Sequence, residues 1–463
     1  MATRALAIAF LFGALAPLVA GCVAGAEGAE GASVDDVTAG PKLPFDEYTL
    51  LFTNPVCRPY PYGAGQRVVS NGGEPLAQKP VNVYCSSSDR DRSAWRESSP
   101  QRKLVEWIRD PETKEIFFTY LSFSNGTVAE ELCKAIRRRS VKVTFVLDRK
   151  PDNDLTRARE LLACEPGNGD PEARPRLELR GHDGEGDDAV GYAHNKLFIV
   201  NPRSDNPRFV FSSGNLSSGV VLHHENWHFV RVPAATHFAR AHLCLMEGML
   251  DHYRGKREFT DFVRGCREAS GLREESDLRS FFVPGDGGRA GATIARGIRE
   301  ASFVGIAAHR FSFGLIKGEL MKRFDAHEPF AARLVVDDDV WWAGKGEVVG
   351  PNTPEEYRQM VAPLAERGVD VRYMETNPGV ESTPAKPLLH HNKFIVFRGP
   401  SGDAAFAGAG NFTGAAFYDN FENFYWITIP AVVEALRAQH EHLFELATPE
   451  ERLPRENVQP PLP

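Results

Sequence analysis

The sequence has no excess of positive charge, and this limits the partners that it favours. Its 463 residues include 54 Lys and Arg against 62 Asp and Glu, and the formal net charge is -8 at pH 7. A negative field over the whole molecule favours neither nucleic acid nor an anionic membrane surface. One basic segment, RRRSVKV at 137–143, departs from this balance, and such a run is typical of a solvated helix end.

The chain also lacks a long apolar run and any closely spaced pair of cysteines. Its N-terminal apolar run is about sixteen residues long, which is too short to span a membrane comfortably. None of the seven cysteines has a CxxC partner, so the spacing typical of a structural zinc site is missing. The sequence therefore predicts no metal ligands and no cofactor.

The first 22 residues, MATRALAIAFLFGALAPLVAGC, are organised like an export signal. Arg4 precedes the apolar run, and small residues follow it. The end of the segment, LVAGC, resembles the lipobox of bacterial lipoproteins, in which the cysteine becomes the lipidated first residue of the mature chain. This resemblance implies lipidation of Cys22, and the alternative is an ordinary secretory signal without a lipid. Residues 23–45, rich in Gly, Ala and acids, are predicted to form a flexible tether.

Both interpretations of the N-terminus predict an exported protein of the bacterial cell envelope, either anchored in the membrane, periplasmic or secreted. The cysteines agree with this, because setting Cys22 aside from the seven leaves six, and an even number in an exported chain predicts disulfides. They fall into sequential pairs, but six cysteines allow many pairings and the sequence does not choose among them. The six are Cys57, Cys85, Cys133, Cys164, Cys244 and Cys266.

Two segments repeat the same polar residues in the same order. AHNKLFIV at 193–200 and HHNKFIVF at 390–397 each place a His, one spacer residue and a Lys at the start of an apolar run. A Gly-Asn pair and then a Glu-Asn pair follow in both copies, and Glu follows His by 31 residues each time. An internal repeat of this length indicates a duplicated structural unit. The repeated residues are His194 and His391, Lys196 and Lys393, Asn215 and Asn411, and Glu225 and Glu422.

The segments around these repeats have the pattern of an α/β fold. EIFFTYLSFSNGTVAEELCKAIRRRSVKVTFVLD reads as strand, turn, helix and strand, and the second half repeats this pattern from SFVGIAAHRF onwards. Apolar runs such as VTFVLD suit strands that are covered on both faces, which predicts two similar lobes, each with a mixed or parallel sheet flanked by helices. The predicted boundaries are an N-terminal lobe at 46–267, a linker at 268–280, a C-terminal lobe at 281–450 and a tail at 451–463.

The repeated residues predict a binding site for one anion. A His and a Lys two apart on a strand point to the same face, so each pair can reach one substrate group. A Gly before each Asn lets the backbone approach closely, which suits an Asn that holds a phosphate oxygen. Lobes packed about a pseudo-twofold axis would bring both sets to one cleft. A phosphodiester fits such a cleft, with one His as nucleophile, the other as general acid, and Lys and Asn stabilising the charge without a metal.

The paired H-x-K, Gly-Asn and Glu-Asn elements resemble those of the phospholipase D superfamily, and the resemblance covers about 101–429. It implies a covalent phosphohistidine that is resolved by water or an alcohol, with the nucleophile in the N-terminal copy. The roles that it implies are a catalytic pair, a phosphate clamp and two carboxylates that hold the imidazoles in register: His194 and His391; Lys196, Lys393, Asn215 and Asn411; Glu225 and Glu422.

The sequence departs from the family motif at one position of each repeat. The family places an Asp five residues after the Lys, where this chain has Asn201 and Arg398. That Asp is generally structural in the family, and tyrosyl-DNA phosphodiesterases also lack it. The departure leaves the implied chemistry intact and indicates no particular subfamily.

Three classes of function remain open from the sequence. The first is cleavage or transfer of phospholipid head groups, favoured by export, a membrane anchor and the acidic body. The second is a metal-independent nuclease, favoured by the likeness of NKFIVF, AGAGNFT and NFEN to small nucleases of the superfamily and opposed by the missing basic surface. The third is a catalytically silent binding protein, which the intact repeats argue against. The expected partners are a phosphodiester substrate and a membrane, with nucleic acid as the alternative substrate, and the expected state is a monomer.

Two further pairs of residues are candidates for the wall of the cleft. His223 and His224 precede Glu225, and they either line the cleft or serve a surface or strand-end role. Trp341 and Trp342 follow a strand, and they either form a rim for an acyl chain or a base, or anchor a loop.

Overall fold

The computed structural model describes residues 40–59, 83–150, 153–217, 219–345, 354–376 and 388–453. The predicted signal peptide with Cys22, the tether up to residue 39 and the tail from residue 454 lie outside the described residues.

The described part of the chain contains both strands and helices. In chain order the strands are β1 (Glu47–Thr53), β2 (Arg58–Pro59), β3 (Val83–Tyr84), β4 (Glu115–Tyr120), β5 (Lys142–Asp148), β6 (Arg176–Arg180), β7 (Lys196–Val200), β8 (Arg208–Ser212), β9 (Glu225–Arg231), β10 (Leu278–Val283), β11 (Phe303–Ala308), β12 (Ala331–Asp337), β13 (Asp370–Met374), β14 (Lys393–Arg398), β15 (Ala404–Gly408), β16 (Glu422–Ile427) and β17 (Thr448–Pro449).

The helices are α1 (Ser87–Trp95), α2 (Pro100–Arg109), α3 (Gly126–Arg139), α4 (Thr156–Leu162), α5 (Gly219–Leu222), α6 (His237–Asp251), α7 (Lys256–Ala269), α8 (Gly287–Glu300), α9 (Gly314–Asp325), α10 (Asp338–Gly344), α11 (Ala362–Glu366), α12 (Gly414–Tyr418) and α13 (Pro430–Leu446). A π-helical turn at Glu356–Val361 precedes α11. Within the described ranges, no helix is both long enough and apolar enough to cross a membrane.

Helix α3 illustrates how the local sequence sets the boundaries of an element. The side chain of Asn125 accepts a hydrogen bond from the N–H of Val128 at 3.0 Å, and this cap begins the helix. The helix ends where Ser140 adopts a left-handed conformation, with φ 52°. Its last turn carries the basic run, and positive charge is favourable at a helix C-terminus. The three arginines of RRRSVKV therefore form a helix end, as predicted, and β5 begins at Lys142.

The two large sheets have the same strand order. The first runs β1-β9-β8-β7-β4-β5-β6, and the second runs β10-β16-β15-β14-β11-β12-β13 with β17 added at the edge. In the first sheet β5 is parallel to both of its neighbours, and the remaining pairs are antiparallel. The second sheet repeats this arrangement with β12 in the place of β5. The predicted fold class, with two similar lobes built on mixed sheets and flanked by helices, is confirmed.

The lobes share one apolar core. Side chains from both sheets, together with α6 and α13, form this shared core, and two further apolar clusters lie on the other faces of the sheets. At its centre the ring of Phe211 in β8 stacks on Tyr425 in β16, with centroids 3.8 Å apart. Because both faces of each sheet are buried, the central strands read as continuous apolar runs. The described residues from Gly40 onwards accordingly belong to one compact unit.

The segment between the sheets is held by side-chain contacts. The carboxylate of Glu275 accepts hydrogen bonds from the N–H groups of His237 and Phe238, at 2.8 and 3.0 Å. It therefore caps the start of α6. The polar residues that suggested a linker at 268–280 thus include one that stabilises a helix of the preceding lobe.

Three disulfides join sequential cysteines: Cys57–Cys85, Cys133–Cys164 and Cys244–Cys266. The predicted disulfides are present, and the pairing that the sequence left open is the sequential one. Disulfides persist in oxidising compartments outside the cytoplasm, so this framework is typical of an exported protein.

Candidate active site

The two sequence repeats meet at the junction of the lobes. The N–H of His194 donates to the carbonyl of Phe421 at 2.9 Å, and the N–H of His391 donates to the carbonyl of His224 at 3.0 Å. Each H-x-K segment thus pairs with the residue that precedes the Glu-Asn pair of the other lobe. These reciprocal bonds relate the lobes by a pseudo-twofold axis. Both catalytic candidates are largely buried, with 8% of His194 and 7% of His391 exposed.

Each of these histidines contacts a carboxylate from the opposite lobe. Nδ1 of His194 lies 2.8 Å from Oε1 of Glu422, and Nδ1 of His391 lies 3.1 Å from Oε1 of Glu225. Both carboxylates are fully buried. A carboxylate at Nδ1 fixes the orientation of an imidazole and leaves Nε2 available for reaction. The sequence suggested that these residues act together, but it did not indicate that the pairs cross between lobes.

Buried amides form a second set of contacts across the junction. Nδ2 of Asn226 donates to Oδ1 of Asn392 at 3.1 Å. Oδ1 of Asn423 accepts from the backbone N–H of Lys196 at 2.9 Å and lies 3.5 Å from Nδ2 of Asn195. Sequence reasoning missed Asn195 and Asn392, although the spacer of H-x-K is Asn in both copies. These amides join the start of each H-x-K strand to the other lobe.

Two aspartates hold the backbone just before the histidines. Asp148 ends β5 and accepts the N–H of Ala193 at 2.6 Å, while Asp337 ends β12 and accepts the N–H of His390 at 2.7 Å. Both carboxylates are fully buried. Sequence reasoning missed them, although the apolar runs of VTFVLD and RLVVDD are each followed directly by an Asp. We interpret both as positioning residues.

The two lysines lie on the same side of the backbone as their histidines. Nζ of Lys196 lies 3.0 Å from Nε2 of His194, and Nζ of Lys393 donates to the carbonyl of His391 at 2.7 Å. This is expected for residues two apart on extended backbone. Both amino groups are buried, and a buried cation is a strong attractor for an anion because little water screens it.

The two Gly-Asn pairs follow β8 and β15. Oδ1 of Asn215 and Oδ1 of Asn411 are buried and have no hydrogen-bond partner among the described residues. A Cβ on Gly214 would lie 1.9 Å from Oε2 of Glu225, so only glycine allows the backbone to approach this carboxylate. The sequence predicted a close approach at this glycine, but to a phosphate oxygen. In the structure the approach makes room for Glu225.

Burial shifts the pKa values of the site towards uncharged forms. The pKa values of His194 and His391 lie well below the ordinary value, because burial and then the nearby ammonium groups oppose an imidazolium. Burial also lowers the pKa of Lys196 to about 8 and raises the pKa of Glu422 to about 8. At neutral pH the imidazoles can therefore act as nucleophiles, while Lys196 keeps most of its charge.

We expect the activity of the free protein to decline as the pH rises through about 8, because Lys196 then loses its charge. Its pKa is depressed, so the ammonium is present below this pH and absent above it. A bound anion favours the ammonium, so the alkaline limb of kcat should lie at higher pH than that of kcat/KM. The Lys196→Arg variant stays charged, and its alkaline limb should move upward. An unchanged limb in this variant would assign the titration to a group other than Lys196.

The two halves of the site differ beside the carboxylates. Nδ1 of His223 lies 3.6 Å from Oε1 of Glu225. The matching position, two residues before Glu422, is occupied by Asn420, whose Nδ2 donates to Oε1 of Glu422 at 3.1 Å. The half that contains His391 therefore carries an additional imidazole, and the pseudo-symmetry of the site is broken there.

The remaining candidates for the cleft wall are His224, Trp341 and Trp342. His224 is buried at the lobe junction, where its backbone pairs with His390, so its role lies at a strand end. Trp341 and Trp342 are also buried, with 4% and 2% exposed, and they pack in the outer core of the C-terminal lobe. They anchor α10 and form no exposed rim. Sequence reasoning missed His309, whose ring centroid lies 4.9 Å from that of His391.

The positions at which the family motif has Asp lie away from the site. Asn201 follows β7 and accepts hydrogen bonds from the N–H groups of Lys114 and Glu115, at 2.8 and 3.1 Å. Arg398 is the exposed last residue of β14. Both lie at the ends of their strands opposite to the histidines, so the departure from the motif does not alter the site.

No family model matches the chain, and no curated protein matches it. Several solved structures resemble it. Polyphosphate kinase from Porphyromonas gingivalis is similar with a TM-score of 0.43 at 13% identity, over 78% of this chain and 51% of the kinase. Phosphatidylserine synthase from Haemophilus influenzae Rd KW20 has a TM-score of 0.47 at 12% identity, over 74% of this chain and 83% of the synthase. Nuc from Salmonella typhimurium, a phospholipase D family member, has a TM-score of 0.29 at 18% identity, over 37% of this chain and 96% of Nuc.

Proposed function

We propose that this protein is a phosphodiesterase of the phospholipase D type, which cleaves or transfers phospholipid head groups through a phosphohistidine. The observation that carries the proposal is the pair of crossed contacts, His194 with Glu422 and His391 with Glu225, at one junction. Lys196 and Lys393 lie beside them. Two imidazoles with oriented Nε2 atoms and two buried amino groups are suited to in-line displacement at phosphorus.

In the first step, the Nε2 lone pair of His194 attacks phosphorus. The P–N bond forms as the bond to the leaving oxygen breaks, and that oxygen takes a proton from Nε2 of His391. In the second step, a water molecule gives a proton to Nε2 of His391 while its oxygen attacks phosphorus and the P–N bond breaks. An alcohol in place of water gives transfer. Both histidines return to their starting forms.

The negative charge of a bound substrate explains how His391 becomes protonated and acts as the general acid. The pKa of His391 lies well below its ordinary value in the free protein, because of burial and then the nearby Lys393. A bound phosphodiester carries a negative charge that favours the imidazolium, so substrate binding raises this pKa and provides the general acid. The buried amino groups and the side chains of Asn215 and Asn411 stabilise the non-bridging oxygens.

Phospholipid is the proposed substrate class because the N-terminus predicts a membrane anchor and the net charge of -8 disfavours polyanions. The proposed location is the bacterial cell envelope, and the proposed state is a monomer. A metal-independent nuclease is the second candidate. It is favoured by Tyr192, two residues before His194, whose side chain is 45% exposed and suits stacking on a base.

We expect turnover to survive EDTA, because the proposed chemistry uses protein cations at each charged step. The mature chain should be given phosphatidylcholine, phosphatidylglycerol, single-stranded DNA and double-stranded DNA in parallel, with chelator present. Cleavage of lipid alone supports the first candidate, and cleavage of DNA alone favours the second. Complete loss of turnover in chelator, restored by a divalent ion, would overturn the proposed site.

We expect the Cys22→Ser variant to leave the membrane fraction, because a lipid on Cys22 would act only as an anchor. Fractionation of cells that express either form measures this. The thermal stability of the exported body should be the same in both forms. A wild-type protein that is already free of the membrane after export would contradict the anchor.

A further inference from the structure

Three side chains of metal-ligand type meet in the half of the site that contains His391. One ligand atom from each of His223, Glu225 and His391 lies within 4.8 Å of the other two. The sequence predicted no metal ligands, but the cysteine spacing behind that prediction excludes only zinc sites built on cysteine. The ligands also come from both lobes, with Glu225 and His391 separated by 166 residues.

The distances in this cluster suit a small tetrahedral ion. Nδ1 of His223 lies 3.6 Å from Oε1 of Glu225, and Nδ1 of His391 lies 3.1 Å from the same oxygen. Nitrogen and oxygen ligands bind Zn²⁺ at about 2.0–2.2 Å, which places them about 3.3 Å from one another in a tetrahedron. Two imidazoles and one carboxylate, with a fourth position open, are an established ligand set for zinc.

The backbone confines the imidazole of His223 beside the carboxylate. A Cβ on Gly219, the first residue of α5, would lie 2.5 Å from Nδ1 of His223. Nε2 of this ring is buried and has no hydrogen-bond partner in the described part of the chain. A tautomer with its proton on Nε2 leaves the Nδ1 lone pair directed to the cluster, as a metal ligand requires.

We propose that this protein binds one Zn²⁺ ion through His223, Glu225 and His391, and that the ion inhibits the reaction. The ion binds the Nδ1 lone pair of the neutral His391 ring, whose single proton then lies on Nε2, so the ring cannot take up the second proton that the general acid needs. His391 then no longer exchanges protons with the substrate. The nearby amino groups of Lys196 and Lys393 oppose a second cation, so the affinity is modest and a chelator reverses the inhibition.

The other half of the site provides an internal reference. There Asn420 stands in the position of His223, beside the Glu422 carboxylate. Its amide donates a hydrogen bond to that carboxylate and offers only a weak ligand oxygen. The His223→Asn variant gives the first half the composition of the second, so it removes the third ligand with a side chain that the fold already accommodates beside an equivalent carboxylate.

Zinc binding should be measured on the folded, oxidised protein by competition with a chromogenic chelator, so the result does not depend on the substrate proposal. We expect one equivalent of Zn²⁺ for the wild type and at least about tenfold weaker binding for His223→Asn. The control is His252→Asn. His252 is a partly exposed histidine whose Nδ1 lies 3.7 Å from Oε1 of Glu258, outside the cluster. This variant should bind zinc like the wild type.

Two further measurements keep the test decisive. Co²⁺ added to the wild type should give the visible absorption of a tetrahedral site, which requires no variant to fold. Where turnover is detected, Zn²⁺ should inhibit the wild type, EDTA should restore activity, and His223→Asn should be at least about tenfold less sensitive. Equal zinc affinity in wild type and folded His223→Asn, or an octahedral Co²⁺ spectrum, would refute the site.

Discussion

The His194→Asn variant is expected to form no covalent phosphoryl adduct and to lose roughly 10⁴-fold or more in turnover, as is usual when a nucleophile is removed. Nε2 of His194 is the atom that bonds to phosphorus in the proposed first step. Its Nδ1 is held by Glu422 and its ring is kept neutral by burial and by Lys196, so the lone pair is available. Asn offers no nucleophilic nitrogen in its place.

The His391→Asn variant should differ in kind from His194→Asn. A nitrophenyl phosphodiester has a leaving group that needs no acid, so this variant should still form the adduct on His194. It should then release the adduct slowly, because the base that activates water is gone. Intact mass spectrometry detects the adduct, and the burst of nitrophenolate gives its rate of formation.

Two results would contradict the assignment of His194 as nucleophile and His391 as general acid. An adduct on His391 in the His194→Asn variant would reverse the roles, and the absence of any adduct in an active protein would indicate direct attack by water. His327→Asn is a suitable control, because His327 is exposed and has a left-handed conformation that Asn tolerates. It should keep the turnover and the adduct of the wild type.

The fold was predictable because the repeats are visible in two independent ways. The apolar runs VTFVLD and RLVVDD have the composition of strands buried on both faces, and the polar residues recur at the same spacing. Together they require two similar units, and the structure has two sheets of the same strand order. The sequential disulfide pairs were also suggested by the order of the cysteines, and the structure contains them.

The contacts between lobes were not predictable from spacing. Asn226 bonds Asn392 across 166 residues, and the partner depends on how two complete sheets pack. A repeat shows that two residues have equivalent positions, but it does not show whether each acts within its own lobe. The sequence left Trp341 and Trp342 open between an exposed rim and a loop anchor, because acidic neighbours such as Asp339 are typical of a surface, although Asp339 is itself buried.

The second large effect is expected when either carboxylate that contacts the histidine of the other lobe is replaced by an amide. Glu225→Gln is expected to impair His391, and Glu422→Gln is expected to impair His194, each with a loss of about 10²-fold or more in turnover. Gln keeps the shape of Glu, but its amide stabilises no imidazolium and does not favour one tautomer. With the nitrophenyl substrate, Glu225→Gln should form the adduct at nearly the wild-type rate and release it slowly. Glu422→Gln should form the adduct slowly.

Double variants test whether the pairs cross the lobes as the 2.8 and 3.1 Å contacts indicate. Once His391 is Asn, Glu225→Gln should add little further loss, whereas Glu422→Gln should add nearly its full effect, because residues that act as a unit are not additive. Glu275→Gln is the matched control, since it changes an equally buried carboxylate at the start of α6, away from the cleft. Stronger coupling of His391 to Glu422 than to Glu225 would mean that each lobe orients its own histidine, and the crossed assignment would then be wrong.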